Sequence, residues 1–143
     1  MKLLSLAILL FVFTLTPLPA NGAGAYTPAK SSLERKEILD TLRRHLKKEF
    51  DIDAVFLVEH FKIRNEWAWL QVSPRSPDGK NFYEPLGVLV RLEKGKWQIM
   101  DFAPGECTGD KDDSPDCNPE IFFKKLESKF KAPREIFPAP GPK

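Results

Sequence analysis

The chain has 143 residues, 42% of them hydrophobic and 29% charged, with 22 lysines and arginines set against 20 aspartates and glutamates for a net charge of +2. Interspersed charges of both signs argue against nucleic acid as a partner, because that usually requires a concentrated basic surface. The length is enough for one compact domain with a real core and no need of metals or many staples.

The first stretch is read as an address. Lys2, the apolar run 3–15 and the small-residue site Ala23-Gly24-Ala25 have the form of a secretory signal peptide over residues 1–25. The run is shorter than the roughly 20 residues that cross a bilayer and ends among Thr14, Thr16, Pro17 and Pro19. A permanent anchor is therefore the weaker reading, and no cysteine lies near the cleavage site to carry a lipid. No later segment is apolar enough to span a membrane. The expected product is periplasmic or secreted, with a single domain over residues 26–132 and a proline-rich tail over residues 133–143.

Ser31, with Glu34 three residues on, has the pattern of a capping box, which predicts a helix start there. Ile38, Leu42, Leu46 and Phe50 then recur every four residues beside Leu39, giving an apolar stripe that must pack on something. Arg43, Arg44, Lys47 and Lys48 form a basic cluster, but Glu49 and Asp51 follow directly, so a solvated helix face is preferred to a binding patch.

Residues 54–63 are rich in β-branched and aromatic side chains and read as a strand. A turn at Arg64-Asn65-Glu66 leads to a second strand over 67–72, where Trp67 and Trp69 share one side with Gln71. Residues 73–85 hold Pro74, Pro77, Asp78-Gly79 and Pro85, and are expected to leave the sheet as a long loop. Two further strands, 86–93 and 96–103, flank Lys94-Gly95, a tight-turn signal. After a loop over 104–116, Asn118-Pro119 reads as a cap and first helical residue, and Phe122, Phe123, Leu126 and Phe130 mark a short amphipathic helix. Pro133, Pro138, Pro140 and Pro142 then predict an extended tail. This order implies an α+β domain: an N-terminal helix, two antiparallel β-hairpins forming one curved sheet, and a short C-terminal helix, with the helices laid against one face.

Cys107 and Cys117 both fall in the exported region, and an oxidising compartment predicts a disulfide between them. Closing so short a loop stabilises a fold by roughly 3 kcal/mol on the chain-entropy argument. A catalytic thiol is the alternative, but two histidines in the chain and a loop rich in carboxylates offer little to lower a thiol pKa.

Three constellations are candidates for chemistry. Glu59, His60 and Glu66 lie on or near the first hairpin, where His60 is the natural acid–base group. Adjacent strand residues point to opposite faces, so Glu59 and His60 converge only if the strand bulges, and a His60 packed beside Trp67 or Trp69 is the ordinary reading. Asp110, Asp112, Ser114 and Asp116 alternate like the opening ligands of a calcium loop, but Pro115 and Ile121 stand where that motif needs glycine and glutamate. The third candidate combines Trp67, Trp69, Phe82, Tyr83 and Trp97 with Arg75 and Lys80 into a recognition surface. Phe82 and Tyr83 in the loop are either exposed or folded back over the sheet. No metal, cofactor or nucleotide motif is present.

Residues 32–43, Trp67-Ala68-Trp69, Pro77-Asp78-Gly79 and Gly95-Lys96-Trp97-Gln98-Ile99 resemble a group of small exported bacterial proteins of unknown function. These share an E-R-K-x-I-L-D-x-L-R helix, a W-A-[FW] strand, a P-x-G loop and a G-x-W-x-[VI] hairpin. The resemblance implies no activity, ligand or catalytic residue. A helix followed by a curved antiparallel sheet is also similar to cystatin-like and NTF2-like architectures, a likeness of fold that does not deliver function. The expectation is an exported, non-enzymatic domain that binds a protein or cell-envelope component through its sheet face and the residues Arg75, Lys80, Phe82 and Tyr83. The alternative is a small-ligand or acid–base pocket between helix and sheet that uses His60 and Glu66.

Overall fold

The computed structural model describes residues 24–105 and 117–139. Residues 1–23, residues 106–116 with Cys107, and the last four residues lie outside them.

Helix α1 spans Leu33–Phe50 and is followed by four strands, β1 (Val55–Arg64), β2 (Trp67–Arg75), β3 (Leu86–Glu93) and β4 (Lys96–Phe102). They form one antiparallel sheet in the order β1-β2-β3-β4, an α+β arrangement completed by helix α2, Pro119–Phe130, and a 3-10 turn at Arg134–Ile136.

The cap of α1 is Ser32, one residue later than the capping box predicts. Its side chain accepts the Arg35 amide at 3.2 Å, while its own hydroxyl donates to the Ala29 carbonyl at 2.9 Å. With the helix so registered, Arg35 stands where the box needs an acid, and Glu34 has a different partner. It accepts a hydrogen bond from the Tyr26 hydroxyl at 2.7 Å, while the Tyr26 backbone exchanges two hydrogen bonds with Ile63 on the outer edge of β1. Burial, and then the Glu34 carboxylate, push the Tyr26 phenol up to about 12.

Ile38, Leu42 and Leu46 bury the expected stripe, but Phe50 remains 63% exposed. The helix stops at Asp51 in the left-handed conformation, φ 54°, and the amide of Asp51 closes the last turn on the Lys47 carbonyl. Helix α2 begins as the sequence predicts. Asn118 accepts from the Glu120 and Ile121 amides, and Pro119 fills the first turn, where its missing amide costs nothing.

Contrary to the expectation of helices on one side, they cover opposite faces. On the first face α1 packs with Phe61, Ile63, Ala68, Leu70, Val72, Val88, Val90 and Trp97 into a mainly aliphatic core. On the second face α2 meets Trp67, Trp69 and Leu89 in an aromatic core. The reason lies in β2, whose residues from Trp67 to Leu70 are all buried and so present apolar surface both ways. The supposed tail joins the second core, because Ile136 and Phe137 are buried there and the Phe137 ring stacks on Phe123 at 4.7 Å. Gly87 gives Trp69 its seat: a Cβ at that position would meet the indole at 2.7 Å.

Strand β2 also runs further than predicted, through Pro74 to Arg75, with Phe56 opposite Pro74. Its pairing with β3 ends at Val72 and Leu86, so at Pro74 the strand is no longer paired with β3, a place where proline is tolerated. The Lys94-Gly95 turn is as expected, with φ of 50° and 75° at its two central residues, the pattern of a type I′ hairpin.

Candidate functional site

The register of β1 slips between Val58 and His60, leaving Glu59 as a bulge. Ahead of it Phe56 and Val58 pack on the first core; after it Phe61 and Ile63 do. One extra residue is thus absorbed, and Val55 and Leu57 are left on the second face.

Helix α2 does not reach that end of the second face. Val55 stands opposite Arg75, and Arg75 in turn bridges to Phe82, so the three make one row across neighbouring strands. Leu57, opposite Ser73, begins the next row. Leu57 is 58% and Phe82 77% exposed, and Val55 is exposed as well. Arg75 lies open between Val55 and Phe82. Of the residues chosen from the sequence, Arg75 and Phe82 come together on this row. Val55 and Leu57 were missed, since a strand of β-branched and aromatic residues reads as core and no local pattern announces the bulge.

The loop that carries Phe82 is held in shape by its own polar groups. The Gly79 amide donates to the Ser76 carbonyl at 2.9 Å, closing a turn with Pro77 second in it and Gly79 at its end. The Ser76 hydroxyl and the Lys80 amide both donate to Asp78 and hold its carboxyl below the ordinary range. Ser76 also pairs through its backbone with Asn81, and the Tyr83 amide donates to the Pro74 carbonyl at 3.0 Å. Lys80 sits exposed at the tip.

Tyr83 turns the other way from Phe82, as successive residues of extended chain do. With Leu46, Phe50, Ile52, Pro74, Glu84 and Leu86 it lines a cleft of about 240 Å³ between the end of α1 and the sheet. The exposed Phe50 and half-buried Tyr83 are the aromatic walls.

His60 and Glu66 are not brought together. The His60 imidazole reaches across the second face, where its Nε2 donates to the Ile136 carbonyl at 2.8 Å. Glu66 is exposed in the hairpin turn, and the Leu92 amide donates to its carbonyl at 2.7 Å. Four residues of strand separate His60 from the last pair before that turn, about 13 Å at the usual rise. The bulge instead brings Glu59 to the side of Ser73, whose hydroxyl donates to its carboxylate. His60 thus acts as a clasp on the C-terminal turn, beside the ion pair of Arg64 with Glu135.

Among the described residues no three His, Cys, Asp or Glu side chains gather to hold a metal ion, and no helix is long and apolar enough to cross a membrane. The calcium-like alternation from Asp110 to Asp116 lies outside those residues, as does Cys107. Cys117 lies just ahead of the Asn118 cap, and no described cysteine is free. Compared with protein-family models, curated proteins and solved structures, the chain matches none of them.

Proposed function

We propose that this chain is an exported, non-enzymatic binding domain that engages a protein or cell-envelope component through the loop end of the second sheet face. The observation that carries the reading is the row of Val55, Arg75 and Phe82 with Leu57 beside it, three large apolar side chains and a guanidinium left bare by α2. Aromatic side chains and arginine are enriched at the centres of interfaces, and an apolar surround keeps water from them. Export to the periplasm or beyond is supported by Lys2 and the apolar run 3–15, and the likeness to small exported bacterial proteins agrees with it. A Cys107–Cys117 bond belongs to the same reading, supported by the lack of a free thiol among the described residues.

The test is retention from an envelope extract by immobilised protein, compared with the Leu57→Ser/Phe82→Ser variant. A component held by the first and lost by the second is the expected result. Identical retention by both removes this reading.

One observation favours a second reading: the apolar cleft of Leu46, Phe50, Ile52, Pro74, Tyr83, Glu84 and Leu86. It has the lining of a small-ligand pocket, at the helix–sheet boundary where such a pocket was expected but with other residues than His60 and Glu66. Indole, used as a probe, should then shift the methyl resonances of Leu46 and Leu86. Unmoved resonances at saturating indole end it.

A further inference from the structure

We infer that the partner of this surface is a protein segment that presents a carboxylate flanked by apolar side chains, and that the carboxylate seats on Arg75. The inference rests on the binding reading above and specifies its partner.

Its starting point is the state of the charges. The side chain of every other described arginine has a polar partner. Arg35 donates to the Pro28 carbonyl, Arg43 to Asp40 and Arg44 to Thr41, while Arg64, Arg91 and Arg134 pair with Glu135, Glu93 and Glu127. Arg75 has none, and neither does the Lys80 ammonium. The acids around the row are meanwhile engaged: Glu59 takes the Ser73 hydroxyl, Asp78 takes Ser76 and the Lys80 amide, and Glu84 too has a partner. The surface is therefore apolar with one unmatched fork of donors at its middle and a second unmatched cation at the loop tip.

Geometry narrows the partner further. Val55 and Phe82 are the direct cross-strand neighbours of Arg75, each about 5 Å away. A partner that covers Val55 and Phe82 also covers Arg75 between them, and water is then excluded from whatever group bonds its guanidinium. In that setting a carboxylate, which accepts two parallel N–H bonds from an arginine, is favoured over a neutral amide. A partner without the acid would leave the guanidinium desolvated and unpaired, which is costly.

The probe is a fluorescein-labelled peptide with Phe-Glu-Val set in Gly-Ser flanks, compared by anisotropy with its Phe-Gln-Val and Phe-Lys-Val counterparts on the whole exported protein. The glutamate peptide should bind tighter than the glutamine peptide by about tenfold, the worth of one charge-assisted bond, and the lysine peptide should be weakest. Arg75→Gln should abolish the preference for glutamate, weakening the glutamate peptide while the glutamine peptide binds at least as well as before, and Arg75→Lys should restore part of the preference. Equal binding of the glutamate and glutamine peptides, both lost in Leu57→Ser/Phe82→Ser, overturns the carboxylate and leaves the surface standing. Binding indifferent to Leu57→Ser/Phe82→Ser overturns both. If no peptide binds while the surface still retains an envelope component, the carboxylate inference alone is overturned.

Discussion

The two faces of the sheet are built from the same four strands and used differently. The first is covered by one long helix over an aliphatic core, with an apolar cleft at Phe50 and Tyr83 open at the end of that helix. The second is covered by short pieces, α2 and the Arg134–Ile136 turn, over an aromatic core that stops partway, leaving Val55, Leu57 and Phe82 bare. Large rings let a short helix fill one end of a face completely, so covering the other end is not required for stability. The covered and bare parts should therefore answer mutation in opposite ways.

The largest loss is expected at Trp69, which is 1% exposed and meets Phe122, Phe123 and Phe137. Trp69→Ala should cost about 3–5 kcal/mol in chemical denaturation. Leu42→Ala, in the aliphatic core, should cost about 2–5 kcal/mol, in the lower part of that span if its neighbours close the gap. If Leu42→Ala exceeds Trp69→Ala, the second face contributes less to the fold than its burial implies.

Smaller effects sharpen the picture at the N-terminal end of α1. Ser32→Ala should cost about 1 kcal/mol through its cap, while Ser31→Ala should cost next to nothing, and the reverse order would restore the capping box. Tyr26 offers a check by pH. Its phenol is held protonated in the folded chain to about 12 against an ordinary 10.0, so its contribution to stability is complete below pH 10 and is lost as pH rises through 12. An ultraviolet titration of Tyr83→Phe should show the single high midpoint. Glu34→Gln should lower it only partway, because burial is the larger cause. The smallest change belongs to the bare row, where Leu57→Ser/Phe82→Ser should leave stability within about 0.5 kcal/mol. A large loss there would mean the row is structural.

The element types were legible in the sequence because each had a local physical cause: four-residue spacing for α1, β-branched and aromatic runs for the strands, Lys94-Gly95 for a turn, and Asn118-Pro119 for a cap. What was not legible depended on pairing at a distance. Pro74 looks like a strand breaker until β3 is seen to end opposite Val72. Trp67-Ala68-Trp69-Leu70 is apolar on both sides, and that double pattern, which implies cover on both faces, was the available clue to the placement of α2. Of the candidate site, Arg75 and Phe82 could be chosen as loop-end residues of the right chemistry, whereas the opposite orientation of Tyr83 and the exposure of Leu57 follow from register alone.

The bulge at Glu59 decides which side chains of β1 make the bare row. Strand side chains alternate with a period of two, so if the same residues paired here without the bulge, with Phe61 and Ile63 still facing α1, every side chain ahead of Glu59 would turn to the opposite face. Val55 and Leu57 would then enter the aliphatic core, Phe56 and Val58 would emerge in their place, and Arg75 would lose Val55 as the neighbour on its β1 side. Deleting Glu59 would instead remove the residue in excess, making the Val58–Val72 and His60–Gln71 pairs continuous and leaving Val55 and Leu57 on their present face.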